Sequence, residues 1–104
     1  MKIKQQSVGK EKAIALGKSG WWKGLPARDV AKFQLLTQEL CMDFGDFHKA
    51  LEESLGRPVF THEIGLNFDG IVHEFFGERD APTFQEVVDL IPADRRFILG
   101  TAHP

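Results

Sequence analysis

With 104 residues, of which 42% are hydrophobic and 27% charged, the chain has the composition of one small globular domain, 1–104. It lacks the run of roughly 18 apolar residues that a membrane span needs, and its start, MKIKQQSVGK, has no apolar segment of a secretion signal. We therefore expect a cytoplasmic protein. The single cysteine, Cys41, excludes an internal disulfide and fits a buried small hydrophobic residue.

The net charge of −2 conceals an uneven distribution of charge along the chain. Residues 1–32 contain eight basic and two acidic residues, a net charge of +6, whereas residues 33–104 contain five basic and 13 acidic residues, a net charge of −8. Such asymmetry informs on partners and their electrostatic steering rather than on fold. It predicts a basic segment, 1–24, either flexible or ordered. Pairing of the two ends as mutual counterions, within one molecule or in a homodimer, is an alternative.

The basic segment combines a short helical pattern with two adjacent indoles. The pattern predicts a helix within Val8–Leu16 that ends at Gly17, with Ala13 and Leu16 facing inward and Ile14 as a further candidate. The two tryptophans can stack on unpaired bases while basic side chains bind phosphates, or at least one can pack against the neighbouring helix, which we favour. The residues of the nucleic-acid hypothesis are Lys10, Lys12, Lys18, Trp21, Trp22, Lys23 and Arg28.

The most regular helical pattern runs from Leu25 to Gly56. Apolar residues recur there at steps of three or four and predict one buried stripe. Because Asp43 and Gly45 interrupt the pattern, we predict two helices, 27–42 and 44–55, with one long kinked helix as the alternative. The predicted stripe consists of Val30, Phe33, Leu36, Leu40, Phe44, Phe47, Leu51 and Leu55.

Shorter elements are predicted after Gly56. Val59 and Phe60 suit a short strand or buried loop. Asp69 is the expected N-cap of a helix over 71–76. A terminal strand at 95–100, paired with 59–60 or with Ile3, completes a mainly α fold of about four short helices and two or three short strands.

A second helix signal follows in this part of the chain. Thr83 and Glu86 have the spacing of a capping box, in which the hydroxyl and the carboxylate satisfy reciprocal backbone amides. This box predicts a helix from Phe84 to Leu90. The residues expected to face inward are Val87, Val88 and Ile91.

The segments LLTQELC and LGRPVFTHEIG, with the apolar stripe between them, resemble a group of small phage and prophage proteins. The likeness covers about residues 30–65, and its motif is Phe-Thr-His followed by Glu or Gln. Here the motif is represented by Phe60, Thr61, His62 and Glu63. The resemblance implies an accessory gene of a mobile element that acts in a bacterial host cell, and it implies no particular chemistry.

Four histidines among many carboxylates raise the question of a metal or acid–base site. No two of them have the i, i+4 spacing of a helical zinc pair, and no cysteine pair exists. In His62-Glu63 and His73-Glu74 the two residues are adjacent, so their side chains tend to face apart. We therefore expect no catalytic residue, no metal and no cofactor, and we interpret His62 as hydrogen-bonded to backbone near Pro58.

The leading hypothesis is non-enzymatic binding to a host protein. An acidic surface can occupy a basic nucleic-acid groove by complementary steering. Together with the phage resemblance, this suggests inhibition of a bacterial defence complex such as a CRISPR effector, by analogy. The alternative is a nucleic-acid-binding regulatory protein that uses the segment with the two tryptophans. The predicted acidic face comprises Glu52, Glu53, Glu74, Glu78, Asp80, Glu86 and Asp89.

Overall fold

The computed structural model describes residues 4–91, and this part of the chain is mainly helical, as predicted. No strand occurs in it, and an isolated parallel bridge joins Gln6 to Thr37. The chain divides into two compact units, Met1–Pro58 and Val59–Pro104. The prediction of a single domain stays a prediction. The helices within residues 4–91 are α1 (Lys10–Ser19), α2 (Ala27–Leu35), α3 (Phe44–Leu55), α4 (Thr61–Leu66), α5 (Phe68–Phe75) and α6 (Phe84–Asp89).

Helix α1 continues past its predicted end. Gly17 lies inside the helix, and Gly20, with a φ of 69°, is the left-handed C-cap. The prediction of Gly17 as the end was wrong because a glycine inside a helix costs only about 1 kcal/mol, whereas a left-handed residue stops the helix. Ala13 is buried as predicted, and Ile14 is exposed.

Two helices rather than one cover the long central pattern, as predicted. Asp43 is the N-cap of α3, and its Oδ2 accepts a hydrogen bond from the N–H of Asp46 at 3.1 Å. Gly56 ends α3 in the left-handed conformation. However, α2 ends at Leu35, well before the predicted residue 42.

The amide of Gln34, which is buried, explains why α2 ends early. Its Nε2 donates to the carbonyl of Glu39 at 2.7 Å, and its Oε1 accepts from the N–H of Cys41 at 2.8 Å. The hydroxyl of Thr37 donates to the carbonyl of Phe33 at 2.7 Å. These bonds satisfy the carbonyls of Phe33 and Glu39 and the N–H of Cys41 without a continued helix.

The core of the first unit departs from the predicted stripe as a result. Phe33, Leu40 and Phe44 are 37%, 52% and 38% exposed, so their prediction as core was wrong. Because the chain turns after Leu35, Leu40 and Phe44 no longer follow the register of α2. Phe33 lies within α2, and its ring contacts that of Trp21. Cys41 is fully buried, and burial raises the pKa of its thiol. The buried apolar residues of the two helices and their connection are Val30, Ala31, Leu35, Cys41, Met42, Phe47, Ala50 and Leu51.

The second unit begins with a loop rather than a strand. Val59 is buried, as the loop alternative predicts, and Phe60 is the extended N-cap residue of α4, so these residues do not form the alternative short strand. Its proposed partners, Ile3 and residues 95–100, lie outside the described residues. Backbone groups at residue 60 are instead used to start a helix.

The remaining helix starts differ in how well they follow the predictions. Asn67, and not Asp69, is the N-cap of α5. Gly70 lies against the Asn67 amide, where a Cβ would collide. The predicted capping box of α6 is confirmed, since Thr83 Oγ1 accepts from the Glu86 N–H at 3.2 Å and Glu86 Oε1 accepts from the Thr83 N–H at 3.0 Å.

The inward residues of α6 are those that the sequence predicts. Val87, Val88 and Ile91 are all buried.

Across residues 4–91, none of the helices combines the length and the apolarity of a membrane span.

Candidate functional site

The segment Phe60–Glu63 starts α4, and a buried carboxylate holds its backbone. Glu63 is 0% exposed, and its Oε2 accepts a hydrogen bond from the N–H of Phe60 at 2.9 Å. The N–H of Glu63 donates to the carbonyl of Phe60 at 3.0 Å. Phenylalanine has no side-chain acceptor, so of the two side-chain bonds of a capping box only the bond from the Phe60 N–H to the Glu63 carboxylate is present. The position of Phe60 is therefore set by its neighbour three residues later.

The imidazole of His62 links α4 to α6. Its Nε2 lies 2.9 Å from the carbonyl oxygen of Val87. Because a carbonyl only accepts, Nε2 carries the proton and donates. The sequence predicts a backbone partner near Pro58, and the partner is Val87 instead.

Two exposed phenylalanine rings meet where α4 and α6 are linked. The ring centroids of Phe60 and Phe84 are 6.3 Å apart with an interplanar angle of 64°, an edge-to-face contact. The two residues are 37% and 57% exposed. The His62 ring lies 5.8 Å from that of Phe60. Phe60, His62 and Phe84 form what we call the aromatic patch, and exposed aromatic rings on a fixed backbone are typical anchors of protein interfaces.

The aromatic patch belongs to a strongly acidic unit. Residues 59–91 contain seven carboxylates and one basic residue, Arg79, and with residues 92–104 the net charge of the unit is −5. The unit that carries the patch therefore has a net negative charge, which favours a cationic partner surface.

The structure divides the predicted acidic face between the two units. Glu52 and Glu53 lie on α3 in the first unit, and the other predicted carboxylates lie in the second. Some already have local contacts: Glu52 is 3.7 Å from His48 Nε2, and Glu78 is 3.9 Å from His73 Nε2. The carboxylates of the second unit are Glu74, Glu78, Asp80, Glu86 and Asp89.

Two of these carboxylates are engaged on α6 itself. Asp89 accepts a hydrogen bond from Gln85 Nε2 at 2.8 Å. The capping bond from the Thr83 N–H lowers the pKa of Glu86, and the bond with the Thr83 hydroxyl adds to this effect. Glu86 therefore remains charged in mild acid.

Two residues of the nucleic-acid hypothesis point to different sides of one helix. Lys10, Lys12 and Lys18 lie on α1, where a step of about 100° per residue separates the directions of Lys10 and Lys12 by about 160°. Lys23 and Arg28 are exposed outside this helix. The basic segment, 1–24, thus contains a helix, α1.

Both indoles pack within the first unit, which confirms the packing interpretation. Trp21 Nε1 donates to the carbonyl of Cys41 at 2.9 Å, and its ring lies 4.6 Å from that of Phe33. Trp22 Nε1 donates to Asp46 Oδ2 at 2.8 Å, and its ring stands edge-on to Trp21 at 6.0 Å and 81°. Both residues are half-buried.

Sequence reasoning missed Phe84 as a site residue. Helical spacing places it on the same side as Val87 and Val88, so the pattern gives no sign that it is exposed. The motif at residues 60–63 is the signal that points to this region, because its histidine and glutamate make the two contacts described above.

These features define a small helical protein with an exposed aromatic patch on an acidic unit. Within residues 4–91, no group of three or more His, Cys, Asp or Glu side chains could hold a metal ion. Residues 28–79 match the model of a domain of unknown function (DUF7736), and the chain belongs to this family. The match begins in α2 and ends after α5, so it includes Phe60–Glu63 but neither the tryptophan pair nor Phe84. Comparisons with curated proteins and with solved structures gave no match.

Proposed function

We propose that the protein is a non-enzymatic binding module, encoded by a phage or prophage, that captures a host protein through its aromatic patch. The observation that carries the proposal is the exposed Phe60–Phe84 pair on an acidic unit. A buried carboxylate fixes the backbone at Phe60, and the bond from His62 to Val87 joins the two helices that carry the rings. Rings held in this way lose little conformational entropy when they bind.

The partner surface has an apolar pocket bordered by lysine or arginine. The two rings enter the pocket and supply most of the affinity, since buried aromatic anchors dominate interface energetics. The carboxylates around them steer the encounter and raise the association rate. A surface that binds nucleic acid has such a border of lysine or arginine, because these residues neutralise the phosphates.

The target class that fits this chemistry is a nucleic-acid-handling defence complex of a bacterial host, such as a CRISPR effector. The resemblance at residues 30–65 to phage and prophage proteins supports this choice. In this role the protein acts in the host cytoplasm, blocks a basic groove and needs neither a catalytic residue nor a cofactor.

Affinity capture from a host lysate, followed by binding kinetics with the purified partner, tests the proposal. We expect Phe84→Ala to reduce capture strongly, because it removes the more exposed ring. Phe44→Ala is the matched control, since Phe44 is also exposed but lies on α3 of the first unit. Equal capture by Phe84→Ala and the wild type would rule out the aromatic patch as the binding site.

A second arm tests the electrostatic part. Combined reversal of Glu74, Glu78 and Asp80 to lysine should slow association and remove its dependence on salt. Reversal of Glu52 and Glu53 in the first unit should have a smaller effect. An association rate that is insensitive to salt in the wild type would contradict steering by carboxylates.

The nucleic-acid alternative predicts quenching of tryptophan emission by single-stranded oligonucleotides, with a steep dependence on salt. The contact of the Trp21 ring with Phe33 favours the first proposal, because stacking of Trp21 on a base would require these two rings to separate. Strong quenching at low salt that is lost at high salt would reverse this preference.

A further inference from the structure

A cleft of about 380 Å³ lies in the first unit, far in sequence from the aromatic patch. Residues 22–30 form one side of it, and α3 forms the other. Its volume is at the lower end of the range of about 300–1,000 Å³ that is typical of small-molecule sites. The apolar part of the lining consists of Leu25, Ala27, Val30 and Ala50.

The indole of Trp22 forms a preorganised wall of this cleft. Its N–H donates to Asp46, which also lines the cleft, and the Trp21 ring supports it edge-on. Trp21 is itself held by its bond to the Cys41 carbonyl. The wall therefore needs no rearrangement to receive an apolar group.

Helix α3 adds three charged side chains to the lining, Asp46, Lys49 and Glu53, of which Asp46 is already bonded to Trp22, and Lys23 adds a further charge from the other side. Asp46, Lys49, Ala50 and Glu53 follow the i, i+3, i+4, i+7 spacing of a single helix face, and all four line the cleft. Lys49 and Glu53 are exposed and one turn apart. Lysine N-terminal to glutamate is the less favourable order for a pair within a helix, and no ion pair joins the two in the part of the chain that the structure describes. Both charges thus face the cleft ready for a ligand.

We infer that this cleft binds a free α-amino acid with an apolar side chain. The α-ammonium group binds Glu53 and the α-carboxylate binds Lys49. Side chains one helical turn apart have Cβ atoms about 5–6 Å from each other, which suits two adjoining charges of opposite sign. The ligand side chain packs against Trp22 and Leu25. The inference rests on the first unit alone and is independent of the proposed function.

Titration of the purified protein with L-leucine tests the inference, with calorimetry and tryptophan emission as readouts. N-acetyl-leucine lacks the ammonium charge, and leucinamide lacks the carboxylate. We expect L-leucine to bind saturably and each analogue to bind about tenfold more weakly, which corresponds to about 1.4 kcal/mol. No saturable binding of L-leucine, or equal binding of all three compounds, would overturn the inference.

Two variants test which charged side chain binds which charged group of the amino acid. Lys49→Met should weaken L-leucine about tenfold yet leave leucinamide unchanged, because leucinamide has no carboxylate to lose. Glu53→Gln should weaken L-leucine by a similar factor yet leave N-acetyl-leucine unchanged. Lys18→Met and Glu11→Gln, which change exposed residues of α1, are the matched controls.

The variants also distinguish a free amino acid from a peptide. If a leucine-containing dipeptide binds as tightly as L-leucine, the site recognises a chain terminus and the inference fails. Binding that is unchanged in Lys49→Met and in Glu53→Gln also contradicts it, since the apolar lining would then bind leucine without help from either charge.

Discussion

Glu63 is a fully buried carboxylate whose hydrogen bond goes to the backbone of its own helix start. Burial of a carboxylate is unfavourable unless it is hydrogen-bonded, so this residue couples the stability of α4 to the position of Phe60. From sequence, a Thr-His-Glu segment suggests a cap at Thr61. The chain instead begins the helix one residue earlier, because the glutamate at the third helical position reaches back to the N–H of Phe60.

Replacement of Glu63 tests this coupling. Glu63→Ala leaves the Phe60 N–H without its acceptor and should lower the free energy of unfolding by about 1–3 kcal/mol. Glu63→Gln keeps an acceptor oxygen and should lose less. Urea denaturation followed by far-UV circular dichroism measures both. An exposed carboxylate, Asp80, provides the control, and Asp80→Ala should change stability little.

At the level of single residues, sequence reasoning succeeded where burial alone decides the role. Cys41 is buried, as expected for a small hydrophobic residue. Sequence reasoning failed for Phe84, because its position in the helix resembles that of a core residue. Only the packing of the second unit determines that this ring is exposed.

Among the elements, α2 is the one whose end depends on a single side chain. Gln34 bonds to backbone groups at Glu39 and at Cys41, and so it holds the turn that separates α2 from α3. The two ends of α3 followed from Asp43 and Gly56, whereas the same rules placed a helix end at Gly17 and a cap at Asp69 where the structure has neither. The end of α2 was not predictable, because a glutamine that turns back onto its own chain has the same helix propensity as one that faces solvent.

Gln34→Ala should therefore destabilise the first unit. It leaves the Cys41 N–H and the Glu39 carbonyl unpaired next to the core, and we expect a loss of about 1–3 kcal/mol. Gln38→Ala is the matched control, since Gln38 is exposed and the chemical change is identical. Tryptophan emission during urea denaturation reports the result directly. Equal stability of the two variants would contradict the role assigned to Gln34.

The capping box of α6 supports the element that carries Phe84. Thr83→Ala removes the acceptor of the Glu86 N–H and should cost about 1 kcal/mol, whereas Thr83→Ser should cost much less because it keeps the hydroxyl. Hydrogen exchange of the first amides of α6 measures the local effect. If exchange in Thr83→Ala matches that of the wild type, the box does not hold this helix start.

Charge over the whole molecule follows the two units. Net charge changes sign after residue 32 along the sequence, whereas the division into units falls between residues 58 and 59, and the units carry net charges of +3 and −5. Composition alone reveals the asymmetry. It does not reveal where one unit ends, since that depends on long-range packing that no local pattern encodes.

Acid should destabilise both units through hydrogen-bonded carboxylates. Glu39 accepts from the Ser7 hydroxyl and from the Val8 N–H at 3.0 Å, and these bonds lower its pKa below the ordinary 4.5. Glu86 has a lowered pKa for the reason given above. A group whose pKa is lowered by folding adds stability above its unfolded pKa and loses that contribution as the pH falls through the folded pKa.

We therefore expect the stability of the wild type to fall as the pH decreases from about 5. Glu39→Gln and Glu86→Gln should each reduce stability at pH 7 and approach the wild type at low pH. Glu53→Gln, at an exposed residue in the third turn of α3, should follow the wild-type pH dependence closely. Urea midpoints between pH 7 and pH 3 measure these curves. Parallel curves for Glu39→Gln and the wild type would contradict the role of Glu39.

Both tryptophans lie in Met1–Pro58, and the chain has no tyrosine. Tryptophan fluorescence therefore monitors the first unit alone, because the phenylalanines of Val59–Pro104 do not absorb light at the wavelengths that excite indole selectively. Far-ultraviolet dichroism sees helices of both. Melting curves recorded with the two signals can thus be superimposed, and any gap between them would measure how far the halves unfold as independent cooperative bodies.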